Sequence, residues 1–436
     1  MKRFRSLSSL GWLPGSQVVL LVVSLATFAV LSRLIAPDAY AQFAVLAFVY
    51  TLCALGTDLS AMGYLLVHGD SPRNRRSAWK SASLSAGSGA AVLLLAFLAL
   101  NPAPLPLGPP GVLNTAVLLA GLVAQALVQP LRGRMMVERT YSRIAVTDVS
   151  ATILAYAVTI LLASQGGSVT VLCAQLAMTS VLRLIIITIL SRRGAVGGFN
   201  SSENEAESAV DPLAYGLRVM PLNVASYASR SIDSGVLPLI LPAAAAATYS
   251  RSYQLIVSPV TQVQLSLGGA IVERLARHTN EPGSGAANFD KRLWLALHSV
   301  TFVAAVGLSL CAPFIEHVFF GPKWFHVDLM VSSMAALLPA LTMSTYMSWK
   351  LQIRADLRHS MTNLAVLMLV PVLAIVLALV GGTVGAVIGL AAGALLQGSC
   401  LAVVHRKFLP VRLPTALAQI SFEWLVLAAL VGFRLL

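Results

Sequence analysis

The chain has 436 residues, 57% of them hydrophobic and 11% charged, with a formal net charge of +13. A soluble globular protein carries about 25% charged residues, so this composition excludes that class and describes a polytopic membrane protein. The basic excess does not describe a nucleic-acid binder either. It sits in short clusters between apolar runs, as the positive-inside rule requires, and suits anionic membrane lipids as partners.

The N-terminal stretch MKRFRSLSSLGWLPGS is basic and leads into an apolar run that continues to Ile35. It lacks a small-residue cleavage site after a short apolar core and is expected to be an uncleaved first span. Apolar runs lie at 15–35, 40–67, 80–100, 112–131, 143–164 and 168–190, and then at 213–241, 246–271, 291–312, 327–349, 361–380 and 383–404; a thirteenth lies at 415–433. Crossing a hydrocarbon core of about 30 Å takes roughly 20 helical residues. Backbone groups in lipid must be satisfied within the segment, so each run is expected to be a helix.

Suppose the N-terminus is cytoplasmic. The inner segments then collect Lys2, Arg3 and Arg5; Arg73, Arg75, Arg76 and Lys80; Arg132, Arg134, Arg139 and Arg143; Arg192 and Arg193; Arg274, Arg277, Lys291 and Arg292; Lys350, Arg354 and Arg358; and Arg406, Lys407 and Arg412. The outer segments hold only Arg33, Lys323 and Arg434. This asymmetry fixes the orientation and supports the span count.

The expected organisation is an N-terminal six-helix bundle at 1–192, a cytoplasmic linker at 193–212, a C-terminal six-helix bundle at 213–410 and an additional helix at 411–436. The linker, RGAVGGFNSSENEAESAVDP, is acidic and rich in small residues, as a flexible connection is. Turns such as NPAPLPLGPPG at 101–111 and HTNEPGSGAANFD at 278–290 are short. Leu34, Ile35 and Pro37 match Leu239, Ile240 and Pro242 at one offset, in the first hairpin of each half. Six helices per unit return the chain to the same side, so such repeats would be parallel.

Polar residues run in stripes along four spans. A charge at the centre of a lipid-facing helix costs about 2.5–3.5 kcal/mol on insertion scales, so intramembrane charges face protein or a wet cavity. Arg230 and Asp233, three residues apart in the seventh span, share a helix face with Asn223, Tyr227 and Ser234. The eighth span carries Arg251, Gln254, Ser258 and Gln262, flanked by Tyr249 and Tyr253. The sixth carries Gln175, Thr179 and Arg183, and the first Gln17, Ser24 and Thr27. Either Arg230 and Asp233 pair to lock helices, or they line an aqueous cavity between the halves. The excess of Arg183, Arg230 and Arg251 over the single acid Asp233 favours a cavity for an anionic ligand, which arginine grips with a planar fork. Arg218 lies near an inner end, where it can snorkel.

Other ionisable groups leave choices open. Asp58 fits a proton or sodium site, or a bond between helices. Asp148 is expected to pair with Arg143. Glu423 has no obvious partner, and His298, near an inner helix end, reads as interfacial. The cysteines Cys53, Cys173, Cys311 and Cys400 are far apart, lack metal-ligand spacing and read as small core hydrophobes. No phosphate-binding glycine loop with lysine, HExxH or GxSxG motif occurs. Hence no catalytic residue, metal or cofactor is expected, and transport would draw on an ion gradient or on the substrate's own.

Three segments carry a family likeness: SRLIAPDAYAQFAVL at 32–46, the Asp-Leu-Ser-Ala run at 58–61, and SIDSGVLPLILPAAAAATYSRSYQLIVSPVTQV at 231–263. In these the chain resembles the polysaccharide-repeat-unit (Wzx-type) flippases of the multidrug/oligosaccharidyl-lipid/polysaccharide (MOP) exporter superfamily. The resemblance implies an all-α fold of two six-helix bundles in a V, opening to one side of the bacterial inner membrane at a time. It also implies a polyprenyl-diphosphate-linked oligosaccharide as cargo, and a polysaccharide polymerase and chain-length proteins as partners. Arg230, Arg251 and Arg183 would then hold the diphosphate, with Gln254, Asn223, Tyr227 and Gln17 around the cargo and Asp233 and Asp58 in coupling to protons or sodium. The rival readings are a drug or metabolite exporter of the same superfamily and a membrane glycan polymerase or ligase. The first would want acids for cationic cargo. The second would want a larger outer segment than EHVFFGPKWFHVD at 316–328, whose His317, His326 and Trp324 fit a membrane-surface turn.

Overall fold

The computed structural model describes residues 12–100, 111–192, 212–280, 285–354 and 357–435. The basic N-terminal cluster, most of the 101–111 turn and nearly all of the expected linker lie outside the described residues. Among the described residues the regular structure is all helical. In chain order the helices are α1 (Trp12–Leu34), α2 (Pro37–Gly56), α3 (Ala61–His68), α4 (Pro72–Leu100), α5 (Val112–Val137), α6 (Tyr141–Gln165) and α7 (Val169–Arg192). There follow α8 (Pro212–Val236), α9 (Ala243–Asn280), α10 (Gly285–Leu310), α11 (Val327–Ala335), α12 (Leu338–Arg354), α13 (Leu357–Leu367), α14 (Leu369–Val404) and α15 (Leu413–Leu435).

Among the described residues, 10 helical stretches are long and apolar enough to cross a membrane. The protein is therefore multi-pass. α8 and α9, 25 and 38 residues long, also have the length for a crossing.

One apolar run is broken where the sequence suggests continuity. The run 40–67 is α2 followed by α3, with an irregular bend at 57–60 whose Ser60 has φ 51°. Between the expected runs 361–380 and 383–404 the chain reverses at Gly382, φ 57° and ψ −135°, a backbone state that a Cβ disfavours. Beyond the turn, Cβ atoms added at Gly385, Gly389 and Gly393 would meet the backbone of Leu377, Leu373 and Val370 at 1.9, 2.4 and 2.7 Å. The paired positions count down as the glycines count up, so the two arms are antiparallel and packed backbone to backbone, as small-residue stripes permit in membranes.

The chain divides into two compact units, Met1–Tyr227 and Ala228–Leu436, the boundary falling within α8. In the first, α5 packs against α7 along much of its length, with α4, α6 and α3 beside this pair and α1 against α6. Its apolar core includes Leu46, Tyr50, Cys53, Leu93, Phe97, Leu118, Leu122 and Cys173. In the second, nearly every side chain of α11 is buried; α9 and α10 pack on α11 and α12, and α14 and α15 close the other sides. Cys53 and Cys173 are buried as expected of core residues, whereas Cys311 is exposed.

Candidate functional site

The polar interior of the first unit is built around the bend between α2 and α3. Leaving the helix frees backbone N–H groups that must find acceptors. Asp58 Oδ1 accepts the Ser60 N–H at 2.8 Å, and Ser85 Oγ accepts the Leu59 N–H at 3.0 Å. Gly216 of α8 lies so close that a Cβ would come within 2.5 Å of the Leu59 carbonyl. A cavity of ≈ 40 Å³ opens beside the bend, lined by Thr57, Asp58, Ser85, Gln125 and Gln129 among alanines and leucines. That volume holds one or two waters. Sequence reasoning singled out Asp58 but missed Gln125, Gln129 and Ser85. The signal was present: Gln125 and Gln129, four apart, face one way on α5.

Arg183 of α7 lies 3.3 Å from Asp148 of α6, and the same carboxylate takes Arg132 of α5 at 3.0 and 3.4 Å. Asp148 therefore pairs with Arg132 and Arg183 rather than with Arg143, whose guanidinium donates to the Leu190 carbonyl at 3.4 Å. Asp148 is buried on α6 between α5 and α7, which puts those two neighbours, and not its own first turn, within reach. Elsewhere in this unit the Tyr227 ring stacks on Phe48 at 5.9 Å. Asn223 and Gln17 are half-buried, and Ser24 lies 3.4 Å from the Tyr156 hydroxyl. Arg218 lies on α8, but its side chain is outside the described residues, as is that of Gln262 on α9.

In the second unit the end of α8 and the start of α9 form a polar pocket. A cavity of ≈ 20 Å³ is lined by Ser229, Arg230, Asp233, Tyr253 and Gln397, closed by Leu337, Leu341, Leu367, Val370 and Pro371. It has room for one water. Arg230 and Asp233 thus share a face, as their spacing requires. The Asp233 carboxylate, 2% exposed, accepts the Tyr249 hydroxyl, while the Tyr253 hydroxyl donates to the Arg230 carbonyl at 3.0 Å. Two turns into α9, the buried Arg251 donates to Gln254 Oε1 at 2.6 Å. This bond orients the guanidinium. Gln397, which sequence reasoning passed over, is 1% exposed and brings α14 to the pocket.

A second polar cluster lies deeper among α10, α12 and α15. His298 is 1% and Glu423 3% exposed, and His298 Nδ1 lies 3.4 Å from Glu423 Oε2. His298 is therefore an interior residue and not an interfacial one, and Glu423 has a partner.

A family model described as polysaccharide biosynthesis protein matches residues 30–329. No curated protein matches the sequence. Among solved structures, the lipid II flippase MurJ in an inward closed conformation superposes with a TM-score of 0.64 at 12% identity, covering 95% of this chain and 97% of that one. The eukaryotic MATE transporter AtDTX14 gives 0.57 at 15% identity, covering 97% and 99%. An inward-facing multidrug resistance MATE family transporter of the MOP superfamily gives 0.56 at 13%, covering 95% of each chain. At these identities the likeness concerns the fold, which is that of the MOP transporters.

Proposed function

The chain belongs to the polysaccharide biosynthesis protein family, and from that premise we propose that it is a flippase for a polyprenyl-diphosphate-linked oligosaccharide. It acts in the bacterial cytoplasmic membrane, with its N-terminus inside, in the making of cell-surface polysaccharide. It is not an enzyme on this reading: it breaks no bond in its cargo. Alternating access moves the headgroup past the bilayer while the prenyl chain stays in lipid.

The observation that carries this reading is the pair of arginines on α8 and α9. Arg230 lines a polar cavity, and the buried Arg251 donates to Gln254. A helix keeps such charges in a membrane only where something repays their desolvation, and a diphosphate is a chemical match for guanidinium groups. Asn223, Tyr227, Gln254 and Gln17 supply hydrogen bonds and a ring face for sugars. Asp233 and Asp58 serve in coupling. Arg183 contributes less to the cargo than its place on a polar stripe suggests, because Asp148 already engages it.

The test is export of surface polysaccharide in cells lacking the gene and complemented with variants at matched membrane abundance. Arg230→Ala and Arg230→Glu are expected to abolish export, and Arg230→Lys to retain part of it. Wild-type export by Arg230→Ala would remove the residue from the mechanism. Drug resistance conferred without any effect on polysaccharide would favour a small-molecule exporter instead.

A further inference from the structure

α10 carries Asp290, Trp294 and His298 at intervals of four, so they lie on one face about 12 Å long. Each meets a polar group of a neighbouring helix. Asp290 accepts the Tyr346 hydroxyl of α12 and pairs with Lys350 of the same helix. The Trp294 indole lies edge-on to Tyr346 at 5.1 Å and donates through Nε1 to Gln419 Oε1 of α15 at 3.3 Å. Gln419 donates in turn to Glu423 Oε1 at 2.9 Å. The face ends at His298, whose ring lies 4.2 Å from that of Trp294 and whose Nδ1 approaches Glu423. His298 Nε2 is buried and has no hydrogen-bond partner among the described residues.

Two ionisable side chains buried within candidate spans (Asn288–Leu310 and Leu413–Arg434) are costly to keep there. With a neutral imidazole and an ionised Glu423 the pair carries one net negative charge. With one more proton it becomes an imidazolium–carboxylate pair of zero net charge. The idle Nε2 leaves the ring a second nitrogen for that proton. Among the described residues the other charges are spoken for or distant. Lys350 and Asp290 offset each other at the inner end of the face. Lys291 and Arg292 of α10 are exposed, and Arg274 of α9 sits over the Phe289 ring at 4.9 Å. Arg354 is the last residue of α12. Asp328 of α11 and Arg434 of α15 pair at 3.9 Å toward the other end. α14 brings no charged residue.

We propose that His298 and Glu423 form a proton-binding site inside the second unit. The event is one proton bound by the imidazole and one released, with no bond of any cargo broken. That this proton drives transport rests on the flippase reading above; that it binds does not, and the experiment separates the two.

The reporter is Trp294, whose fluorescence an adjacent imidazolium quenches. Full-length protein in lipid nanodiscs is titrated from pH 5 to 9, and the Trp294→Phe spectrum is subtracted to isolate this indole. The difference signal is expected to fall reversibly on acidification and to be flat in His298→Gln. In Glu423→Gln the midpoint moves to lower pH by about one unit, a tenfold loss of proton affinity, because the stabilising anion is gone. A pH-independent Trp294 signal in folded wild-type protein would reduce the pair to a structural pin and overturn the proposal. So would a midpoint that Glu423→Gln leaves in place, or one that depends on sodium when sodium replaces potassium. None of these readings needs cargo, so a null here leaves the Arg230 export test standing, and the reverse also holds.

Discussion

The Asp233 carboxylate at the end of α8 accepts the Tyr249 hydroxyl near the start of α9, across the tight turn that joins the two helices. Both side chains are buried, at 2% and 0% exposure. The bond ties together the two helices that carry Arg230 and Arg251, and so it fixes how the proposed cationic groups are presented.

Removing the donor alone should therefore be costly. Tyr249→Phe leaves the carboxylate buried without that bond, a penalty of about 1–3 kcal/mol. Asp233→Asn keeps an acceptor of the same shape and is expected to cost less. Thermal unfolding of the detergent-solubilised protein measures both. The double variant should lose clearly less than the two singles together; strict additivity would mean the two groups are not energetically linked.

Asp148 holds two guanidinium groups at once, and its own side chain is 8% exposed while theirs are 27% and 33% exposed. Breaking a fully buried pair costs about 3–5 kcal/mol. Partial exposure of the arginines screens them, so Asp148→Asn is expected to cost roughly 1–3 kcal/mol. Arg183→Gln should cost less, since Arg132 remains on the carboxylate. At matched abundance, Asp148→Asn should impair export far less than Arg230→Ala; a complete loss of export would place the triad in the transport pathway itself.

Glu316 lies in the segment between α10 and α11, where partial burial first, and then the nearby Asp328 charge, raise its carboxyl above the ordinary glutamate range. A raised acid binds its proton more tightly in the folded state. Its contribution is thus fully present below the unfolded-state value and lost as pH rises through the folded-state value. Stability should accordingly fall slightly from mildly acidic to neutral pH, and Glu316→Gln should remove that part of the fall. Melting temperatures of the two proteins between pH 4 and 7 provide the check, with the difference between them widening as pH increases.

Much of this protein could be read from its residues in order. Runs of about 20 apolar residues specify helices in a bilayer regardless of what they pack against, because an unsatisfied backbone is intolerable in hydrocarbon. Arg230 and Asp233 share a face because three residues make nearly one helical turn, and that follows from local geometry.

Which groups meet across helices was decided only by the tertiary structure. Asp148 found Arg132 and Arg183 instead of Arg143. Glu423 found His298, and Gln397 joined Arg230. Those contacts depend on how helices distant in the chain are rotated and offset against one another. The bend at Ser60 contributes, since it redirects the chain inside what reads as continuous apolar sequence. Periodicity places a side chain on a face; only packing places a neighbour opposite it.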